Sequence, residues 1–117
     1  MLRSIASLVL AVSATVGCTT PGHEVAVRGK LIWTNDRQTI VPCGTDETLW
    51  VRLLASNPNF LLTQRVKELS RSSGGEDIIA SFEGELLRTL PSAGPPYAVD
   101  GALFVHSIQS VEIGRCT

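Results

Sequence analysis

Hydrophobic and polar residues alternate along Glu24–Trp33: Val25, Val27, Gly29, Leu31 and Trp33 share one face, while Glu24, Arg28 and Lys30 share the other. A period of two is the signature of a strand buried on one side. Asn35–Asp36–Arg37 supplies turn chemistry, and Thr39–Cys43 follows as a second short strand. Pro42 has no amide hydrogen to give a ladder, so it belongs at an edge, an end or a bulge. Gly44–Glu47 reads as another turn, and Leu49–Leu54 as a third strand, completing a meander. The period then changes. Asn57–Pro58 is a helix start, with Asn able to cap and Pro favoured in the first turn. Leu62, Val66 and Leu69 recur at four and three residues, which is one apolar stripe of an amphipathic helix. Gln64, Lys67 and Glu68 face away from that stripe, and Ser72–Gly75 ends the helix.

Alternation returns in Ile78–Leu87, where Ile78, Ala80, Phe82, Gly84 and Leu86 fall on one face. Gly84 in mid-strand marks a bulge or sharp bend. Leu90–Tyr97 is a loop rich in Pro and Gly, and Ala102–Ile113 is a fifth strand whose alternation slips near Ser107. The order strand, strand, strand, helix, strand, strand predicts an all-β chain with one helix: the five-stranded OB-fold barrel, β-β-β-α-β-β. A helix-backed open sheet shares the same periodicity and is the competing architecture.

The segment before this body has a different pattern. Met1–Leu2–Arg3 is a short basic start, and Ile5–Val12 is an apolar run of signal-peptide length, too short to span a bilayer. Small residues lead to Cys18. This resembles a bacterial lipoprotein signal, in which the cysteine becomes the acylated first residue. Val16, Gly17 and Cys18 fit the pattern; Thr15 departs from it, since a branched aliphatic residue is expected there. An ordinary secretory cut after Ala14 competes with this reading. The resemblance implies a signal peptide over 1–17, lipidation of Cys18, a tether over 18–23 containing the breaker residues Pro21 and Gly22, and one domain over 24–117. Two or more acyl chains anchor stably where one does not. Thr19 rather than Asp follows the cysteine, which implies the outer membrane, with the domain facing the periplasm or the cell surface.

Composition narrows the function. The chain has 117 residues, 44% hydrophobic and 18% charged, which argues against disorder and leaves room for one domain. Removing residues 1–17 takes away Arg3 alone among the charges, so the net charge moves from −1 to −2. That balance, with 5% aromatics, excludes an electrostatically driven nucleic-acid partner.

Arg28–Trp33, then Thr39–Ile–Val–Pro–Cys43–Gly44, then a strand opening at Leu49–Trp50, resembles the C-terminal OB domain of the outer-membrane lipoprotein NlpE family. Ser81–Phe–Glu–Gly84 and a chain ending at Cys116 are similar in kind, and the likeness covers roughly residues 25–117. It implies a lipid-anchored OB module engaged in envelope-stress or surface sensing, with Cys43 paired to Cys116. The N-terminal Cys-x-x-Cys domain of that family has no counterpart here, so its copper role has no residues to carry it. The pairing also has an argument of its own. Of three cysteines, lipidation of Cys18 leaves two, and an exported domain meets an oxidising compartment. Such a bridge contributes on the order of 4 kcal/mol by restricting the unfolded chain. A disulfide role for Cys18, or redox sensing by the Cys43–Cys116 pair, are the alternatives.

Little in the chain points to catalysis, a metal or another cofactor. His23 is placed in the tether and His106 in a strand, without ligand spacing. There is no nucleophile elbow, and Glu83 and Glu85 read as a solvated strand face. The usual ligand surface of this fold, strands two and three with their flanking loops, places Thr48, Trp50, Arg52 and the Asn35–Gln38 turn together as the candidate ligand face. The expectation is therefore a non-enzymatic, membrane-anchored module that binds an envelope partner. A purely structural outer-membrane lipoprotein is the alternative.

Overall fold

A computed structural model of the chain describes residues 22–54, 59–90 and 94–116. The leader, Cys18 and the Asn57–Pro58 helix start lie outside the described residues. The elements run β1 (His23–Trp33), β2 (Gln38–Pro42), β3 (Leu49–Leu53), α1 (Asn59–Ser72), β4 (Ile78–Leu87) and β5 (Gly101–Ile113). The expected order is the observed one. One correction falls on His23, which is not a tether residue: it opens β1 and pairs with Leu86 of β4.

Hydrogen-bonded neighbours run β1-β2-β3-β5-β4 and return to β1, a closed barrel. Closure leaves no sheet edge, so the open-sheet alternative is excluded and the fold is the OB-type five-stranded barrel with one helix. All pairs are antiparallel except β3 with β5, which run parallel from Leu49 beside Gly101 to Leu53 beside Val105.

β1 closes the barrel by serving two partners. Residues 23–30 pair with β4 and residues 29–33 with β2. At the overlap stands Gly29, where a Cβ would overlap the carbonyl oxygen of Val41. Gly84 has the same role in β4: a Cβ there would overlap the carbonyl oxygen of Phe104. Both glycines are buried, and both are met by backbone, which cannot move aside as a flexible side chain would.

β5 turns the corner with two bulges. Gly84 pairs with Val105 but Glu83 with Ser107, leaving His106 extra; Phe82 pairs with Ile108 but Ser81 with Ser110, leaving Gln109 extra. The inward positions of β5 are therefore Leu103, Val105, Ile108 and Val111, spaced two, three and three apart. The slip expected near Ser107 is the first of these bulges.

Leu31, Ile40, Leu49, Val51, Phe82, Leu103 and Val105 fill the interior. Full burial of side chains of this size contributes roughly 1.5–3 kcal/mol each. Leu62 and Val66 of α1 join the same core beside Ile78 and Val111, so the helix plugs the end of the barrel where β4 starts and β5 finishes. The indole N–H of Trp33, at the end of β1, donates to Thr63 Oγ1 at 3.0 Å and ties that end to the helix. Gly74 and Gly75, at φ +65° and +96°, then take the chain out of α1 in a conformation L side chains resist.

Cys43, just past β2, is bonded to Cys116, just past β5, across 73 residues of sequence. The tail leading to Cys116 crosses the outside of the sheet, with the Gly114 N–H donating to the Asp77 carbonyl at 3.0 Å. Beneath it lies Ile79. Strict alternation would give this residue to solvent, yet it is 0% exposed, and Gly114 passes so near that a Cβ there would stand 3.7 Å from its Cγ1. Lys30 and Glu112 are its cross-strand neighbours. Lys30 faces Asp77 at 3.6 Å and Arg28 faces Glu112 at 3.7 Å. These surface pairs contribute little each.

Two outcomes follow. Gly84→Ala forces the β4 and β5 backbones apart and destabilises the protein by about 2–3 kcal/mol, read as a lower urea midpoint at unchanged m-value. Cys43→Ala/Cys116→Ala lowers stability by on the order of 4 kcal/mol and releases the tail from Ile79, read as faster hydrogen exchange at Ile79 and Ala80.

Candidate functional site

Strand pairing sets the candidate face. Ile40 opposes Leu49 and both enter the core, so the next pair out of phase, Thr39 and Trp50, points outward. Ala102 of β5 is the other cross-strand neighbour of Trp50. Arg52, two residues on in β3, shares that outer face, and its guanidinium lies 4.6 Å from the centroid of the Trp50 ring. A cation over an aromatic face is worth about 0.5–1 kcal/mol at an exposed site and fixes the orientation of both groups.

The turn between β1 and β2 is built by Thr34. Its hydroxyl accepts the N–H groups of Asp36 at 3.2 Å and Arg37 at 3.1 Å, and its own N–H donates to the Arg37 carbonyl at 2.8 Å. The turn presents Arg37, whose guanidinium lies 4.2 Å from the centroid of Tyr97. Tyr97 belongs to the loop between β4 and β5, and its phenolic oxygen accepts the Gln38 N–H at 3.1 Å. The same loop is held a second time: Asp100 accepts the Thr48 N–H through Oδ2 at 2.8 Å and gives its own N–H to the Thr48 carbonyl at 2.8 Å. Residues 97–100 thus form a strap fastened at the start of β2 and just before β3.

The structure therefore brings Trp50 and Arg52 together as a stacked pair. The backbone of Thr48 is engaged by Asp100 and anchors the strap. The turn residues meet Tyr97, which the sequence reading did not single out. A lone aromatic between Pro96 and Ala98 in an otherwise small and breaker-rich loop was the only signal for it. Two guanidinium–aromatic pairs, one on the sheet and one on the strap, give this surface aromatic rings and positive charge. Such a surface suits planar or anionic groups of a partner.

Thr39 carries an unsatisfied buried polar group. It is 0% exposed, and its Oγ1 has no hydrogen-bond partner among the described residues. A buried hydroxyl left unpaired costs about 1–3 kcal/mol.

His106, at the first β5 bulge, contacts Glu24 of β1 through Nε2 and Oε2. Glu83 is exposed and Glu85 half-buried. Among the described residues no three His, Cys, Asp or Glu side chains come together as metal ligands, and no helix is long and apolar enough to cross a membrane. Compared with protein-family models, curated proteins and solved structures, the chain finds no match.

Thr39→Val removes the orphaned hydroxyl and stabilises the protein by about 1 kcal/mol, whereas Tyr97→Phe leaves the Gln38 N–H unpaired and destabilises it by about 1 kcal/mol. Paired urea titrations check both signs.

Proposed function

We propose that this chain is a lipid-anchored protein of the bacterial envelope, exported by residues 1–17 and held at the outer membrane through acylated Cys18. Its barrel is a non-catalytic binding and sensing module, of the NlpE-like kind that reports envelope stress or surface contact. The observation that supports this reading best is the bond between Cys43 and Cys116. It joins the ends of β2 and β5, a stapling suited to an oxidising compartment. It also uses two of the three cysteines, leaving Cys18, directly after the apolar leader, for the lipid.

The face for a partner is the surface around Trp50 and Arg52, bordered by Arg37 and Tyr97. Aromatic and Arg side chains of this sort are the usual anchors of protein interfaces. The partner is an envelope protein, and the module works without metal, cofactor or nucleic acid.

The intact mass of the protein purified from membranes tests the anchoring. The expected species begins at Cys18, carries acyl chains, and lacks two hydrogens for the Cys43–Cys116 bond. An unmodified Cys18, or one in a disulfide, overturns the reading. For the partner face, a photo-cross-linking residue at position 52 in living cells captures an envelope protein, and Trp50→Ala reduces that capture at least tenfold. Equal capture from position 112, on the far side of the barrel, rejects this face.

A further inference from the structure

A cleft of about 560 Å³ lies between α1 and the start of the β1–β2 turn, beside that face: Asn35 of the turn lines it, and its Trp33 also borders a hollow with Gln38 and Arg52. The cleft's volume is within the usual 300–1,000 Å³ of small-molecule sites. Trp33 and Val66 form its apolar wall. Because the indole N–H of Trp33 is already given to Thr63 Oγ1, the ring is held in place and offers only apolar and π surface to an occupant. Thr34, Asn35 and Ser70 add uncharged polar groups.

The rim is cationic. Lys67 and Arg71 stand one helical turn apart on the same face of α1 and both line the cleft. Elsewhere Arg28, Lys30, Arg65 and Arg88 each face a carboxylate, and Arg37 and Arg52 each lie over an aromatic ring. Among the described residues Lys67, Arg71 and Arg115 have neither kind of partner, and of these Lys67 and Arg71 line this cleft. No carboxylate lines this cleft. Glu76 and Asp77 belong to an adjoining hollow that shares Trp33, Thr34, Val66 and Ser70 with the cleft, and there Asp77 faces Lys30. Cations in the last turns of a helix also complement its dipole. That effect does not require them to converge on an apolar cleft with a fixed indole.

The geometry points to a binding site for a small amphiphilic anion: an apolar, preferably flat body seated on Trp33 and Val66, with one carboxylate or phosphate held between Lys67 and Arg71. The site adjoins the Trp50–Arg52 face but holds its anion on a different pair, Lys67 and Arg71, so substitution of that pair tests it independently of the face.

The test uses the full chain in nanodiscs of neutral phosphatidylcholine, followed by the indole N–H resonances of Trp33 and Trp50. The probes are 2-naphthoate, 2-naphthyl phosphate and the neutral 2-naphthalenemethanol. The anionic probes shift the Trp33 resonance and bind at least tenfold more tightly than the alcohol, and the stronger of the two identifies the head group. Lys67→Gln/Arg71→Gln abolishes that preference, while Lys67→Arg keeps it. An unchanged Trp50 resonance in the probe-free variant shows that the fold is intact. Equal binding of the neutral alcohol, an unaltered preference in the double variant, or shifts confined to Trp50 each overturn the proposal. So does charge-dependent adsorption to phosphatidylglycerol nanodiscs without binding of either naphthyl anion, which would make the rim a membrane-facing patch.

Discussion

Barrel closure in this protein depends on two places where backbones approach too closely for any side chain. At Gly29 a single strand passes from one partner to the other, and at Gly84 the long-paired β4 and β5 leave no room for a Cβ against the Phe104 carbonyl. A five-stranded sheet with only 5 residues in each of β2 and β3 cannot curl shut by gentle twist alone. It needs local bends, and these come from glycine on one strand and bulges on its neighbour. With closure achieved, Phe82, Leu103 and Val105 face an enclosed interior, and one amphipathic helix suffices to seal the end.

The disulfide acts on this frame from outside. It attaches the C-terminal tail beside the end of β2, and the tail in turn covers Ile79 on the outer surface of β4. A small barrel with limited interior volume thus gains a second buried point. The same bond accounts for two cysteines at once and gives the remaining one, Cys18, its distinct place in the proposed anchoring.

The two faces available for binding differ in kind. Around Trp50 and Arg52 the surface is partly covered by the protein's own strap, with Tyr97 held at Gln38 and Asp100 at Thr48. Beneath it, Thr39 carries an unpaired buried hydroxyl. Beside α1 the cleft is open, its indole fixed and its two cations without carboxylate partners among the described residues. The first surface suits a large partner that contacts strap and sheet together; the second suits a small molecule.

Much of the architecture was legible along the chain. Alternation in Glu24–Trp33 and Ile78–Leu87, the stripe Leu62–Val66–Leu69 and the breaker residues between them set the order and type of every element, because one-sided burial writes its period directly into residue spacing. The slip near Ser107 and the glycine at 84 likewise carried the bending of the barrel. Long-range pairing left no such periodic trace. That Tyr97 reaches Gln38 across 59 positions, that Trp33 donates to Thr63, and that Ile79 is buried rather than exposed all depend on which surfaces closure brings together. Local periodicity reports only that a residue faces inward or outward. What an outward residue meets is decided by segments distant in the chain, and here those segments are the strap and the disulfide-bound tail.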